Sequence, residues 1–342
     1  MDEIKISRIL IIGTGTMGLR HFEILRKLLP EAQIAVYSES GRRSHFADTF
    51  TTKSEILTFR PEISVIANQS SRHLEIASVL AELGSHLLIE KPLSANLDGI
   101  DQLIALNKSG DIKIAVGYNL RFLPSFKIFQ SLLREQKIGR IFDVRIEVGQ
   151  SLETWRPGRD YRETASARKI DGGGVLRELS HEIDYLIGFF GSPHWVSASL
   201  GKVSDLEIDV EDIAHLILGM KNEDGTEFMA SIHLDFIRQD KLRRCIVIGR
   251  HGTLEWNLLN GSIVQKNSDF SETEILAPGQ ESLSDTYSME WNDLLNAIYQ
   301  DDEPTNSLQN SISTMDVIMA CELSQEKESR VRLLPITGGP HD

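Results

Sequence analysis

The chain has 342 residues, of which 41% are hydrophobic and 25% charged; this is ordinary globular composition and enough sequence for about two domains. Its 36 Lys and Arg against 50 Asp and Glu give a formal net charge of −14, which argues against nucleic acid and anionic membranes as partners. The sequence has no apolar run long enough to span a bilayer and starts without a signal-peptide pattern, so we expect a cytoplasmic protein.

The first third of the chain alternates short apolar runs with segments of helical period, a pattern typical of βαβ units. Pro30 and Gly84 end the two helices that this pattern predicts most clearly. In chain order we predict a strand at 8–12, a helix at 16–29, strands at 34–37 and 63–67, a helix at about 71–83, and strands at 87–89 and 112–116. Residues 1–121 are therefore predicted to form a Rossmann domain, a doubly wound parallel sheet.

A glycine-rich motif of the form GxGxxG, residues 13–18, lies directly between the first predicted strand and the first predicted helix. At such a turn, glycines permit a tight bend and a close approach of the backbone to a pyrophosphate, and the helix N-terminus attracts the phosphate charge. A glycine-rich turn without a ligand is the alternative. We predict that a dinucleotide is bound here by Gly13, Gly15, Thr16, Met17 and Gly18.

The segment after the second predicted strand bears on the choice between NAD and NADP. Ser38 stands where an acidic residue would bind the ribose 2′-hydroxyl of NAD, and Arg42 and Arg43 follow within reach of a 2′-phosphate. These residues favour NADP. Glu39 allows the opposite interpretation, because a register shift of one residue would make it the ribose ligand of an NAD enzyme, and both arginines could be ordinary surface charges.

Glu90, Lys91 and Pro92 follow the predicted strand 87–89 at the carboxyl end of the sheet, where doubly wound folds bind their ligands. A lysine at the end of a strand, followed by a proline that prevents a helix, projects from a stiff support. We predict that Lys91 takes part in the chemistry, although most lysines are solvated surface residues.

Beyond about residue 122 the apolar pattern has a period of two over longer segments, as in antiparallel strands covered on one face. We predict strands at 141–150, 195–202, 213–220, 228–236, 244–249 and 253–257, and helices at 172–190, 288–299 and 308–327. Residues 122–342 are therefore predicted to form an α+β domain with a mostly antiparallel, open-faced sheet, its last helix near the domain junction. Because large apolar faces are rarely left in water, we expect a homodimer or homotetramer through this sheet.

The predicted helix 172–190 carries Glu178, His181 and Asp184 at every third position, so that the three share one face. Imidazole titrates near neutral pH and can exchange a proton with a sugar hydroxyl, while a neighbouring carboxylate fixes its tautomer. The alternatives are a solvent-facing polar stripe and a metal site, for which a second histidine at ligand spacing is missing. We predict a proton relay without a metal. Cys245 and Cys321 are too few for a disulfide framework or a thiolate site, and we expect both to be buried and reduced.

Five stretches of the chain carry a family resemblance: residues 13–18, 68–73, 90–92, 117–124 and 172–184. Together they resemble the Gfo/Idh/MocA family of oxidoreductases, which includes glucose-fructose oxidoreductase and inositol dehydrogenases. The resemblance covers nearly the whole chain. One departure is that many members have an aspartate four residues before the histidine, whereas this chain has Arg177 there and Glu178 three residues before His181.

The resemblance implies roles for residues at matching positions. It implies that Lys91 and His181 meet the reacting hydroxyl and that the acids beside His181, which are Glu178 and Asp184, orient its ring. It also implies a set of residues that contact the cofactor and a set that lines the junction between cofactor and substrate. The cofactor set is Asn68, His73, Glu90 and Lys91, and the junction set is Tyr118, Asn119 and Arg121.

The segment 154–162, together with 166–169, looks like a loop of family members that act on sugars of bacterial surface-polysaccharide pathways. It offers an aromatic plane and several guanidinium groups, which suit a polyhydroxylated substrate that carries a phosphate or a carboxylate. The alternative is a structural loop that joins the two domains. The substrate-binding candidates in it are Trp155, Arg156 and Arg168.

These observations predict an NAD(P)-dependent dehydrogenase or reductase of a sugar, in particular a nucleotide-linked or acidic one. The cofactor supplies the hydride chemistry, and the protein supplies orientation and proton transfer. An inositol or polyol dehydrogenase is the alternative within the same class. A regulatory protein that senses the dinucleotide without turnover is the alternative from another class, and the presence of both Lys91 and His181 argues against it.

Overall fold

The computed structural model describes residues 6–279 and 281–333, which form two compact units. The first unit contains residues 6–122 and Ser282–Ile312, and the second contains Leu123–Glu281 and residues 313–333. The chain thus leaves the first unit after Phe122 and later returns to it. The sequence analysis assigned all of residues 122–342 to the second domain and did not predict this return.

The first unit is built on a six-stranded parallel sheet. Its elements are, in chain order, β1 (Arg8–Ile12), α1 (Thr16–Leu28), β2 (Gln33–Tyr37), β3 (Asp48–Phe50), α2 (Lys53–Phe59), β4 (Ile63–Ile66), α3 (His73–Glu82), β5 (His86–Ile89), α4 (Ile100–Lys108) and β6 (Ile114–Val116). The strand order β3-β2-β1-β4-β5-β6 reverses at β1, which pairs with both β2 and β4. The predicted Rossmann sheet is confirmed, and only the short edge strand β3 was not foreseen.

The remaining elements supply a larger, mostly antiparallel sheet. In chain order they are α5 (Pro124–Arg134), β7 (Ile141–Gly149), α6 (Val175–Glu178), α7 (His181–Phe190), β8 (Trp195–Gly201), β9 (Ile213–Lys221), β10 (Glu227–Asp235), β11 (Leu242–Gly249), β12 (Gly252–Asn257), β13 (Ile263–Lys266), β14 (Glu272–Leu276), α8 (Leu283–Gln300), α9 (Leu308–Lys327) and β15 (Val331–Arg332). The nine strands lie in the order β14-β13-β12-β11-β7-β10-β9-β8-β15. Only the β7–β10 pair is parallel, so the predicted sheet type is confirmed.

The nine-stranded sheet has one buried and one open face in its central strands. On β9, Ala214, Leu216 and Leu218 are buried, whereas the alternate residue Ile217 is exposed. On the neighbouring strand β10, Met229 is also exposed, and it faces outward with the same period. The strands therefore show the two-residue alternation expected of a sheet covered on one side.

The helix α8 belongs to the first unit because its apolar side chains complete the core of that unit. Trp291 and Leu294 are fully buried in the same cluster as Ile9 and Ile11 of β1. A segment that follows eight of the nine strands of the second sheet, β7 to β14, therefore packs on the Rossmann sheet. Apolar periodicity predicts the helix itself but cannot show which core it joins.

The second unit has an aromatic core around Trp256 of β12. This side chain is fully buried, stacks with Phe129 at a centroid distance of 5.5 Å, and donates its indole N–H to Ser125 Oγ at 2.9 Å. Cys245 and Cys321 are buried, and burial raises the pKa of both thiols. Within the described ranges, none of the helices is sufficiently long and apolar to span a membrane.

Candidate active site

The three glycines of residues 13–18 occupy different environments. Gly13 has a φ of +111°, and a Cβ there would stand 2.6 Å from the carbonyl oxygen of Ala67. A Cβ on Gly18 would collide with the backbone carbonyl of Gly13. By contrast, apart from its two chain neighbours, no atom of the described residues lies within 4 Å of the Cβ position of Gly15. Gly13 and Gly18 are thus required by the fold, whereas Gly15 borders open space.

The open space at Gly15 lies at the N-terminus of α1. Gly15 is the N-cap, no side chain caps the helix, and its first turn, which starts with Thr16 and Met17, has no acidic residue. The first backbone N–H groups and the positive end of the helix dipole are therefore available to an anion. These residues fit the pyrophosphate of a dinucleotide. When bound, such a cofactor would supply a nicotinamide ring that accepts or donates a hydride.

The residues expected near the adenosine end follow β2. Ser38 is buried, and its Oγ lies 3.3 Å from Ser40 Oγ. Glu39 is exposed and forms an ion pair with Arg72, which follows β4. Arg42 and Arg43 are exposed, and the carboxylate of Glu39 is already engaged by another side chain.

Asn68 lies in the segment between β4 and α3, and His73 is the first residue of α3. The Asn68 Oδ1 atom is buried and lacks a hydrogen-bond partner among the described residues, which fits a position next to a polar ligand. The His73 ring is buried; its Nδ1 lies 3.2 Å from the Pro92 carbonyl oxygen and its Nε2 lies 3.2 Å from that of Asn68. Burial lowers the pKa of His73. His73 therefore links the loop after β4 to the loop after β5.

Glu90 and Lys91 follow β5 directly at the carboxyl end of the parallel sheet. Glu90 is buried, and one carboxylate oxygen lies 2.8 Å from Nε2 of His21 on α1. Burial raises the pKa of Glu90, but the hydrogen bond with His21 and the charge of Lys91 outweigh it and hold the pKa below its usual range. Lys91 is partly exposed, and its peptide bond to Pro92 is cis. An ionised carboxylate and a lysine are therefore consecutive in the chain where ligands of such sheets bind.

Tyr118, Asn119 and Arg121 follow β6 and are all buried. Asn119 donates a hydrogen bond from Nδ2 to Thr286 Oγ1 of α8 at 2.7 Å. A Cβ on Gly117 would stand 3.1 Å from Glu90 Oε2, so the absence of a side chain at Gly117 makes room for this carboxylate. The structure thus brings the chain after β6 alongside Glu90, within the first unit.

The predicted helix 172–190 is wrong in one respect, because two separate helices form there. Helix α6 ends at Glu178, Leu179 leaves the helical conformation with φ −102° and ψ 27°, and α7 begins at His181. Glu178 therefore does not share a helix face with His181 and Asp184, whereas the latter two remain three residues apart on α7.

The start of α6 is held by a distant acid that periodicity cannot reveal. Glu211 accepts a hydrogen bond from the backbone N–H of Leu176 at 3.0 Å, and its carboxylate occupies the space where a Cβ of Gly174 would be. Burial raises the pKa of Glu211. The start of α6 is thus anchored from another part of the second unit, by a residue that the sequence analysis did not single out.

The acids around His181 have separate partners. Glu178 Oε1 accepts a hydrogen bond from Ser166 Oγ at 2.9 Å. Glu182 is fully buried and accepts two hydrogen bonds from Arg243, at 2.7 and 3.0 Å. Asp184 is also buried. A bidentate pair of this kind holds α7 rigidly on the sheet and keeps His181 in a fixed position.

Arg177, at the position where many family members have an aspartate, forms an ion pair with Glu322 of α9. The residue that this chain has in place of the aspartate is thus a cation, and it links α6 to α9. The described residues contain no group of three or more His, Cys, Asp or Glu side chains arranged to hold a metal ion.

The three substrate-binding candidates of the segment between β7 and α6 have different surroundings. Trp155 packs edge-on against Phe236 at 5.1 Å, and Arg156 beside it is exposed. Arg168 forms an ion pair with Asp171 at 3.0 Å. Unlike Trp155 and Arg156, it lines a cleft of about 600 Å³. This cleft is also lined by Arg162, Lys202, Ser204, Asp205, Glu207 and Asp209. Its charged lining suits a polar ligand.

Comparisons with known proteins agree with both halves of the fold. Residues 7–118 match a family described as "Oxidoreductase family, NAD-binding Rossmann fold", and residues 126–255 match "GFO/IDH/MocA C-terminal domain". The chain is thus built as an NAD-binding oxidoreductase with a Rossmann domain. It belongs to the Gfo/Idh/MocA family, as its sequence motifs predicted.

Several sugar dehydrogenases are among the relatives. Levoglucosan dehydrogenase of Pseudarthrobacter phenanthrenivorans is 31% identical over 53% of this chain and 51% of its own length. D-xylose dehydrogenase of Paenarthrobacter nicotinovorans is 22% identical over 86% of this chain and 89% of its own. Oxidoreductase P35 of Formosa agariphila is 25% identical over 65% of this chain and 68% of its own. Like levoglucosan dehydrogenase, several further relatives are matched by this chain over only about half to two thirds of their own length.

Solved structures share the fold over nearly the whole chain. A levoglucosan dehydrogenase in complex with NADH superposes with a TM-score of 0.80 at 20% identity, covering 96% of this chain and 100% of that one. An oxidoreductase from Agrobacterium radiobacter, in complex with NAD+, L-tartaric acid and magnesium, has a TM-score of 0.80 at 14% identity, covering 96% and 99%. At these identities the likeness concerns the fold.

Proposed function

We propose that this chain is an NAD(P)-dependent dehydrogenase or reductase that exchanges hydride between the nicotinamide and a carbon of a sugar or polyol. The observation that carries the proposal is the open space at Gly15 in front of the uncapped N-terminus of α1. Relatives named levoglucosan, myo-inositol and D-xylose dehydrogenase support a polyhydroxylated substrate. The test is cofactor-dependent turnover, followed by nicotinamide absorbance, on a panel of such compounds.

Lys91 and His181 are the proposed proton-handling residues. Lys91 stands on the end of a parallel strand beside an ionised carboxylate, and His181 is the first residue of a helix held by a buried ion pair. Each offers a nitrogen that can hold or move the proton of a substrate hydroxyl. Asp184 and Glu178 are the acids proposed to orient His181, and Tyr118, Asn119 and Arg121 are proposed to bind the substrate. Tight cofactor binding without turnover on any substrate would instead support the sensing alternative.

The proposed cofactor is NADP(H). Ser38 supplies no carboxylate for a ribose 2′-hydroxyl, and Arg42 and Arg43 are exposed cations on the same loop. Glu39 is neutralised by its ion pair with Arg72, so its charge would oppose a 2′-phosphate less. The variants Arg42→Ala and Arg43→Ala should lower affinity for NADP(H) relative to NAD(H). An unchanged affinity ratio would make Glu39 the proposed ribose ligand, and therefore NAD the cofactor.

For the substrate, we propose a nucleotide-linked or acidic sugar, because guanidinium groups such as that of Arg168 suit a phosphate or a carboxylate. Arg168 lines a cleft in which acidic and basic side chains are equally frequent. Trp155 and Arg156 are proposed to contribute an aromatic plane and a further cation. The names of the relatives favour a second candidate, a neutral sugar or an inositol. A panel that pairs each neutral sugar with its uronic acid and its nucleotide-linked form distinguishes the two, since Arg168→Ala should impair only the charged substrates.

We further propose that the open face of the nine-stranded sheet is covered by a second copy of the chain, in a homodimer or homotetramer. Exposed Ile217 and Met229 lie on neighbouring strands of this face and would be shielded from water in such an assembly. Light scattering at micromolar concentration tests this proposal. A monomer would contradict it, and Met229→Lys should weaken the assembly.

A further inference from the structure

A chain of buried hydrogen bonds links helix α8 to the residue before Lys91. The indole Nε1–H of Trp291 on α8 donates to His21 Nδ1 at 2.9 Å, and His21 Nε2 lies 2.8 Å from Glu90 Oε1. Trp291 and His21 are fully buried, and Glu90 is 9% exposed. The three residues come from α8, α1 and the end of β5, so that distant parts of the sequence meet behind Lys91.

The chemistry of these donors fixes the protonation of His21. An indole N–H can only donate a hydrogen bond, so His21 Nδ1 must be the acceptor and carries no proton. Nε2 is then the protonated nitrogen, and it donates to the Glu90 carboxylate. His21 is therefore a neutral imidazole in the Nε2–H form. Taking up a second proton would require breaking its bond with Trp291.

These hydrogen bonds do not form a proton wire. Trp291 cannot accept a proton, so a proton that left Lys91 through Glu90 and His21 would have no further acceptor along this route. The arrangement instead keeps Glu90 ionised and in place by a hydrogen bond from a neutral donor. The Glu90 carboxylate and the ammonium group of Lys91, the next residue in the chain, interact electrostatically.

The charged and titratable groups that face this chain come from three sides. On α8, Tyr287 meets the His21 ring edge-on at 6.2 Å, and burial together with the Glu90 charge raises its pKa to about 12. On α1, Arg20 lies 4.6 Å over the Tyr287 ring. On the other side, Lys91 and His73 act electrostatically on Glu90.

We propose that Trp291 and His21 are positioning residues for Lys91: Trp291 locks His21 in its neutral form, and His21 holds the ionised Glu90 carboxylate against the lysine. The inference rests on the proposed function in that Lys91 serves the reaction. Removal of the indole N–H would free Nδ1 of His21, which could then bind a proton next to Glu90. The resulting imidazolium would neutralise Glu90 and weaken its hold on Lys91.

The test compares Trp291→Phe with a matched control, Trp256→Phe. Both variants lose one buried indole N–H hydrogen bond and keep an aromatic ring, but Trp256 lies in the second unit, bonded to Ser125. In the control we expect wild-type kcat–pH behaviour. In Trp291→Phe we expect an added ionisation on the acidic limb and about a tenfold lower kcat below neutral pH, with recovery at higher pH and an unchanged KM for the cofactor.

A second experiment measures the protonation of His21 by spectroscopy and does not require turnover. In nitrogen-15 histidine spectra of the wild-type protein, His21 should show a protonated Nε2 and an unprotonated Nδ1, as in the neutral Nε2–H tautomer. In Trp291→Phe this pattern should be lost. Should Trp291→Phe not fold, His21→Gln replaces it, since glutamine can both donate and accept but cannot titrate; it should retain most of the activity that His21→Leu loses.

The results of these experiments distinguish the positioning role of Trp291 and His21 from the proposed role of Lys91. A wild-type His21 without the Nε2–H pattern, or a Trp291→Phe variant with the kcat–pH profile of Trp256→Phe, overturns the inference. A Lys91→Ala variant with wild-type turnover overturns the proposed role of Lys91, and with it the positioning claim. That result would still leave the measured protonation of His21 intact, so the two failures are distinguishable.

Discussion

The glycines of residues 13–18 make different contributions that a motif alone does not distinguish. Gly13 and Gly18 leave no room for a Cβ against the backbone, whereas Gly15 faces open space at the start of α1. A side chain on Gly15 would therefore be tolerated by the fold and would occupy the space that we propose for the pyrophosphate. A side chain on Gly18 would push against the backbone of Gly13 with or without a ligand.

This difference leads to a prediction at the level of single residues. Gly15→Val should abolish dinucleotide binding, measured by titration calorimetry, while the melting temperature of the protein without cofactor changes little. Gly18→Val is the matched variant and should lower the melting temperature by several degrees. Undiminished NADPH or NADH affinity in Gly15→Val would refute the assignment of the phosphate site.

A second residue-level prediction concerns the acids near His181. Glu178 lies on a different helix from His181 and accepts a hydrogen bond from Ser166. Glu178→Gln keeps an acceptor for Ser166 and should therefore cost much less than His181→Ala in kcat. A loss as large as that of His181→Ala would mean that Glu178 itself handles a proton.

At the level of elements, α8 is the segment whose place the sequence did not reveal. Leu294 is fully buried in the core of the first unit. We expect Leu294→Ala to lower the free energy of unfolding by about 2–5 kcal/mol, because it leaves a cavity. Met289→Ala, on the same helix but at a 40% exposed position, should change it by no more than about 0.5 kcal/mol. Urea denaturation measures both, and equal effects would contradict the placement of α8.

Helix α9 carries an acid whose charge opposes folding. Burial raises the pKa of Asp316 to about 6, above its ordinary value. Since the folded state binds this proton more tightly than the unfolded state, the contribution of Asp316 to stability falls as the pH rises from about 4 to 6. Asp316→Asn should therefore raise the melting temperature at pH 7.5 and leave it nearly unchanged at pH 4. An equal effect at both pH values would contradict this.

At the level of the whole molecule, the sequence predicts those features that depend on local pattern. The parallel strands, the long antiparallel strands and the phosphate loop all follow from apolar periodicity and glycine spacing. The division of the helix 172–190 escaped prediction because the apolar spacing continues through Leu179 and Ile183, so that periodicity does not mark the break at Leu179. The hydrogen bonds that join Trp291, His21 and Glu90 escaped prediction because these residues lie far apart in the sequence.

The central claim, that the chain is a hydride-transferring enzyme whose proton chemistry depends on Lys91 and His181, is tested most directly by turnover of the single and double alanine variants. Each single variant should lower kcat by about a hundred- to ten-thousandfold while the dissociation constant of the cofactor stays near the wild-type value. The double variant should lose less than the product of the two, because residues that serve one proton transfer are not additive. A His181→Ala variant that retains wild-type turnover of the identified substrate would contradict the account.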